Sequence, residues 1–391
     1  MTDIEILKAL NAEKKEDRLN ALREAVKNAK FPEVTPRYIN NHIHTKYSFS
    51  PYSPAAAVYA ARAEGLSTAG IVDHDSIAGA REFIEAAKIA NIPATVGMEC
   101  RASMRNTSFA KRRINSPDQE GIAYMTLQSV PHDRIEELNE YFASYREKRN
   151  VRTAAMTDNI NALISKTGIE MSFEKDVLPI SMFGEGGGVT ERHLLYALAK
   201  KLTEKLGRGE KLIRFFEEEG IKLSEKQKAQ LSDMEYYFYE YDVLGILKSA
   251  FISKIYIPAD EECPDIAEVV RVAKEMDALL CYAYLGDVTS SVTGDKKAQT
   301  FEDAYLEELF DCICGLGVRA VTYMPTRNTT EQLSRLRGLC EKHGMIQVCG
   351  EDINTPRQSF VVRAMDNPEF ANLIDTTWML IEHERTGKSF F

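Results

Sequence analysis

The most restrictive feature of this chain is a rhythm: short apolar runs alternate with amphipathic stretches, and polar residues stand directly after the apolar runs. The pattern predicts a strand at 38–42 and a helix from Ser53-Pro54, where Ser caps and Pro occupies the first turn. Strands at 68–72, 94–98 and 122–129 and a helix at 76–90 follow. From residue 131 to about 250 the sequence turns to long, charged, helix-period segments, interrupted by Gly184-Glu185-Gly186-Gly187-Gly188, with Thr190 placed to cap the next helix. Alternation then resumes, with helices at 264–276, 300–316 and 329–343 and strands at 278–284, 320–323 and 345–349. Interleaved βα units define an α/β chain whose parallel sheet either closes into a barrel or stays open and doubly wound; the barrel is the preferred reading. The expected organisation is an N-terminal amphipathic helix over 1–36, barrel over 37–130, a helical insertion over 131–250 and the rest of the barrel over 251–391.

At 391 residues, 44% apolar and 28% charged, the chain has ample material for a core. A formal charge of -10 argues against holding long nucleic acid by its phosphates, but a small anionic substrate is compatible if a bound cation supplies positive charge. The seven cysteines are scattered, odd in number and mostly in apolar runs, which reads as reduced core thiols. Neither the N-terminus nor any later segment offers a signal sequence or a membrane-length apolar run, so the expected location is cytoplasmic, with no membrane partner.

In βα proteins the carboxyl ends of the strands share one face, where active sites are built. His42-Ile43-His44 follows the first strand, and residues two apart on extended backbone point the same way, so both imidazoles can reach one ion. Asp73-His74-Asp75 follows the second strand, Glu99 ends the third, and Glu351-Asp352 follows the last. Imidazoles mixed with carboxylates suit Zn²⁺, Mn²⁺ or Fe²⁺. Each piece also has a structural reading. Asp73 to Ser76 can be a solvated strand exit that caps a helix, and Asp352 can make an Asx-turn before Asn354 and Pro356. Glu99, between Met98 and Cys100, is costly to bury without a partner.

In order, the HxH pair, a strand ending Asp-His, Gly97-Met98-Glu99 and Gly350-Glu351-Asp352 resemble the PHP (polymerase and histidinol phosphatase) domain, over roughly residues 38–129 and 278–354. The resemblance implies a distorted (β/α)7 TIM-like PHP barrel with a helical insertion, and a metal-dependent phosphoesterase. It implies His42, His44, Glu99 and Asp352 as metal ligands, with His74 a ligand of a neighbouring ion, and one to three divalent ions in all. Phe49, Tyr284, Met324 and Asn354 stand where the family usually has Asp or His, and Gln128 is the nearest polar residue to another usual His. Either fewer ions bind, or Tyr284, Asp287, Gln128 and Asn354 build a different shell.

The expected chemistry is hydrolysis of a small phosphorylated molecule by water activated on the ion. Asp73 or Asp75 would orient that water or its proton, and Arg327, beside an Asn328/Glu331 capping box, would clamp the anion. His193, Lys296, Arg357 and Asn354 complete the candidate substrate contacts, set against plainer readings: a capped surface helix behind a mobile glycine loop for His193, a solvated turn for Lys296 and a surface ion pair for Arg357. Two rival functions stand beside this one: a lapsed enzyme retained as a binding or regulatory module, and another metal-dependent hydrolase of amide or deaminase type.

Overall fold

A computed structural model of the chain describes residues 2–288, 299–388 and 390. It opens with two helices, α1 (Asp3–Leu10) and α2 (Lys15–Asn28), where the periodicity predicts one. The break is built by side chains: Asn11 donates to Pro51 O and accepts from Ser53 N, while Arg18 donates to the carbonyls of Ala12 and Glu13. Carbonyls that a continuous helix would use internally are satisfied from outside it.

Next come β1 (Thr35–Ile43), α3 (Pro54–Ala63), β2 (Leu66–His74), α4 (Ala80–Ala90), β3 (Ala94–Ser103) and β4 (Ile122–Gln128). Helices α5 (Ile135–Tyr141), α6 (Ala143–Leu163), α7 (Glu191–Leu206), α8 (Glu210–Glu218), α9 (Glu225–Ser232) and α10 (Tyr239–Ile255) follow. The chain then returns to α11 (Ile266–Glu275), β5 (Leu279–Ala283), α12 (Leu306–Leu316), β6 (Ala320–Tyr323), α13 (Thr330–His343), β7 (Ile346–Cys349) and α14 (Ala371–Thr386). The box that starts α13 is Thr329 with Gln332, one residue later than the sequence suggests. Asn328 instead donates to Leu285 O.

The strands are hydrogen-bonded in chain order, β1 to β7. The two ends meet where Ile43 bridges Ile353: His44 N donates to Ile353 O at 3.0 Å, and Ile353 N to His42 O at 3.1 Å. That closure brings the first and last motifs together across more than 300 residues of chain. The expected all-parallel ladder fails at one strand, since β4 runs antiparallel to both β3 and β5. A parallel return needs a crossover, usually a helix, and residues 104–121 contain none. The reversal sets Gln128 opposite Leu279, where β5 begins, with its Nε2 3.5 Å from Asn41 O, while Tyr124 pairs with Arg101 and its ring lies 6.0 Å from that of His74.

One apolar core unites the barrel and its helices, including Ile43, Ile71, Met98, Leu280 and Val321. A second lies among the later helices, with Met156, Ile160, Leu195, Leu198, Val243 and Leu247. Ile135 and Leu138 of α5 pack with the first, so the apolar contacts divide at α6 and not at residue 131. Phe49, from the loop after β1, packs in the second core between His193, Tyr196 and Tyr241, at ring distances of 4.9, 5.8 and 5.6 Å. The aromatic ring at this position thus fastens the insertion over the barrel mouth. Among the described residues, no helix is long and apolar enough to cross a membrane.

Candidate metal centre

Strand geometry gathers the ligand candidates. His42 and His44 are both buried and lie on one face of the β1 exit, while Ile43 points into the core. The β2–β3 register sets His74 directly beside Glu99, with His74 Nδ1 at 3.0 Å from Glu99 Oε2. Glu99 Oε2 is 3.9 Å from His42 Nε2 and 4.0 Å from His44 Nε2, and Asp352 Oδ1 is 3.2 Å from His44 Nε2. Two overlapping sets, His42/His44/Asp352 and His44/His74/Glu99, each hold their ligand atoms within 4.8 Å of one another.

The glycines of the family-like motifs have steric reasons to be there. A Cβ on Gly350 would lie 2.6 Å from His42 Cβ, and one on Gly97 would lie 2.5 Å from Leu127 O. Any larger residue at Gly350 would push His42 away from Asp352.

The buried Nε2 atoms of His42 and His44 have no hydrogen-bond partner. A buried polar atom left unmade costs about 1–3 kcal/mol, and two of them aimed at a pair of carboxylates fit a divalent cation, which needs lone pairs and not protons. The tautomer of His44 follows from its neighbours. Ser48 Oγ donates to Asp73 Oδ1 at 2.6 Å, so its single proton is committed, and the contact of 3.3 Å to His44 Nδ1 is one in which the imidazole donates. Nε2 of His44 is thereby left as a lone pair facing Asp352 and Glu99. We expect Ser48→Ala to weaken divalent-metal affinity by about 10–100-fold with the fold retained, as read by competition with a fluorescent chelator.

The charges in the cluster reinforce one another. Burial pushes the His42 imidazolium down. At His44 burial acts in the same sense but is outweighed by Asp352 and Glu99, and the value rises. Burial opposes ionisation of Glu99 and Asp352, yet the surrounding imidazoles hold Glu99 below the usual carboxylate range and Asp352 well below it.

Other expected site residues sit elsewhere. Asp73 is buried and accepts from Thr45 N at 2.7 Å, Thr45 Oγ1 at 2.6 Å and Ser48 Oγ, so it organises the loop after His44 and does not face a water in the mouth. Asp75, at φ 54°, is paired with the buried Arg149. His193 is buried and closes a capping box, accepting from Thr190 N at 3.0 Å, and burial pushes its pKa down to about 3. With Nδ1 accepting, the neutral ring carries its proton on Nε2. The Thr190-x-x-His193 spacing carries the capping signal, and the neighbouring Arg192 is left half-buried. Arg357 makes two bonds of 2.7 Å to Asp242 and lies over the Tyr236 ring at 4.1 Å, joining the last loop to α10. Tyr284 donates to Asp303 and Asp287 accepts from Phe301 N, contacts that tie both to the segment before α12. Asn354 donates to Asp352 Oδ1 and orients it. Arg327 donates to Leu285 O at 3.0 Å, and burial pushes its guanidinium down against the opposing pull of Glu302, Asp352 and Glu351. Lys296 lies outside the described residues.

The described strands form a nearly closed seven-stranded barrel with imidazoles and carboxylates converging at its strand exits, an arrangement that fits a divalent cation. Residues 40–207 match the PHP domain. A search of curated proteins returned no match. Among solved structures, the fold is similar to a protein from Bifidobacterium adolescentis assigned as a metal-dependent phosphoesterase, at 20% identity and TM-score 0.54, covering 85% of this chain and 96% of that one. It is also similar to an amidohydrolase from Chromobacterium violaceum with bound sulfate and no metal, at 15% identity and TM-score 0.53, covering 83% and 90%.

Proposed function

We propose that this chain hydrolyses a phosphoester of a small molecule, with a divalent cation (Zn²⁺, Mn²⁺ or Fe²⁺) held by His42, His44, Glu99 and Asp352. The observation that carries the reading is the convergence of two unpartnered buried imidazole nitrogens on two carboxylates at the strand exits. When bound, such an ion supplies Lewis acidity and a water nucleophile at neutral pH. The chain's own groups do the rest. Ser48 and Asp73 hold His44 in the tautomer that leaves Nε2 free, and Asn354 fixes the rotation of Asp352. His74, partly exposed beside Glu99, is the group at the mouth best placed to carry a proton. Arg327 lends positive charge to the same face.

Phe49 and Tyr284 are committed to packing and to Asp303, so their positions add no ligands, and we propose a single fully liganded ion. Seven free cysteines, most of them buried, accord with a reducing cytoplasm.

The test is metal analysis of the purified full chain followed by a panel of phosphate monoesters and diesters, amides and amino-purines assayed with added Mn²⁺ or Zn²⁺. About one ion per chain with turnover of a phosphate ester is the expected result. Turnover confined to amides or amines would reassign the chemistry, and metal-free protein without turnover would make the chain a binding module.

A further inference from the structure

Among the described residues, several cations on the insertion have no partner, and two of them lie on helix faces that meet. Arg192, in the first turn of α7, and Lys248, on α10, make no hydrogen bond or ion pair with any other described residue. Around them the arginines are engaged: Arg101, Arg149 and Arg152 with Glu191 and Glu262, and Arg357 with Asp242.

Their placement follows from contacts on either side. Glu191, next to Arg192, is held by Arg149 at 2.9 Å, and Arg149 also holds Asp75, the residue after His74. Gly188 N donates to Tyr47 O at 2.7 Å, and a Cβ on Gly188 would lie 3.0 Å from His74 O. The start of α7 is therefore pinned to the exits of β1 and β2. Tyr196 lies one turn beyond Arg192 on the same face of α7, and Lys248 lies two turns beyond Tyr241 on the same face of α10. The two faces meet where Tyr196 and Tyr241 touch, at a ring distance of 4.9 Å. Both cations thus look onto one rim.

Charge coupling agrees with this placement. Arg192 is the main reason that Lys248 is pushed down, to about 8, ahead of burial, and Asp118, Asp352 and Glu191 act on Lys248 in the opposite sense without reaching ion-pair contact. Arg192 in turn helps hold the Asp352 carboxyl low. Like charges kept together without a counter-ion are unfavourable, and an Arg fork beside a Lys point charge matches a tetrahedral oxyanion.

We infer that Arg192 and Lys248 form an anion subsite that receives the non-reacting phosphoryl oxygens of the substrate above the ligand cluster, with Arg192 as the forked donor and Lys248 as the point charge. The inference rests on the phosphoesterase reading and names the insertion as the part of the chain that selects an anionic substrate over a neutral amide.

The test is calorimetric titration of the Mn²⁺-loaded full chain with inorganic phosphate, for the parent, Arg192→Gln, Lys248→Gln and the double variant. Each single change is expected to weaken phosphate binding at least about tenfold, as for loss of a charge-assisted hydrogen bond, and the double change more. Mn²⁺ affinity stays at the parent value, and the ligand-free variants unfold no earlier than the parent. A parent that binds Mn²⁺ but not phosphate would sink the phosphoesterase reading itself. A parent that binds phosphate, with variants that bind it equally well, would overturn the subsite alone, as would earlier unfolding of either single variant, which would mark that residue as structural.

Discussion

Replacing His44 by Ala abolishes the stabilisation that added Mn²⁺ or Zn²⁺ gives the parent chain, while leaving the metal-free chain nearly as stable as before. The first half follows from the place of His44 in the cluster: it is the member shared by both ligand sets, and its Nε2 lies within 4.0 Å of both Glu99 and Asp352. Removing a mere orienting partner of a metal ligand costs about 10–100-fold in affinity, so loss of the ligand itself is expected to exceed about 100-fold. A ligand that binds only the folded chain stabilises it by about 2.7 kcal/mol at 100 times its Kd, so the parent gains several degrees in thermal midpoint at a concentration where the variant gains none. The second half follows from the orphaned nitrogen. In the metal-free chain the buried Nε2 contributes a desolvation cost of about 1–3 kcal/mol, and its removal offsets much of the packing lost with the ring. Equal metal-induced shifts in parent and variant would show that the cluster does not hold the ion. The same change is expected to remove turnover of any phosphate ester found for the parent.

What could be read from the sequence and what could not divide along physical lines. The exits of β1, β2, β3 and β7 were legible because a polar residue directly after an apolar run marks the point where a buried strand reaches solvent or a ligand, and because βα winding puts those exits on one face. The direction of β4 was not: a buried strand has the same composition read either way, so nothing in the sequence singled out Tyr124, which pairs with Arg101. The roles of Asp73 and Asp75 were hidden for a different reason. Their partners are Thr45 and Ser48 in one case and Arg149 in the other, and the last of these lies on a helix of the segment that sequence reasoning treated as an appendage. His193 and Arg192 are adjacent in sequence, and the capping geometry that buries His193 and leaves Arg192 half-buried was not visible in that adjacency. The first motif shows the same limit. That His42 and His44 could share an ion was visible in their spacing, but that Ser48 fixes which nitrogen of His44 is free was not.

The largest effect on stability is expected at Glu191. Arg101, Arg149 and Arg152 meet Asp75, Glu191 and Glu262 in a buried group of three cations and three anions, no side chain of which is more than 17% exposed. The group draws on β3, the exit of β2, α6, the start of α7 and the loop before α11, so it joins the insertion to the barrel beside the ligand cluster. Glu191 is its hub, in contact with all three arginines. With it gone the remaining buried charge is unbalanced by one, and breaking a buried pair in this way costs about 3–5 kcal/mol. Glu191→Ala and the isosteric Glu191→Gln should both lose stability on that scale in urea unfolding of the metal-free chain, because the charge and not the volume is what the arginines require. Burial opposes ionisation of Glu191, but Arg149, Arg152 and Arg101 outweigh it and hold its carboxyl well below the usual range. A carboxylate depressed in the folded state contributes stability above its unfolded value, about 4.3, and that stability is lost as pH falls toward the folded value. The gap between the parent and Glu191→Gln is therefore widest near neutrality and narrows below about pH 4.3. A gap that stays constant on acidification, or a loss below about 1 kcal/mol at neutral pH, would mean that the apolar contacts of α6, α7 and α10 hold the insertion in place and the charges merely accompany them.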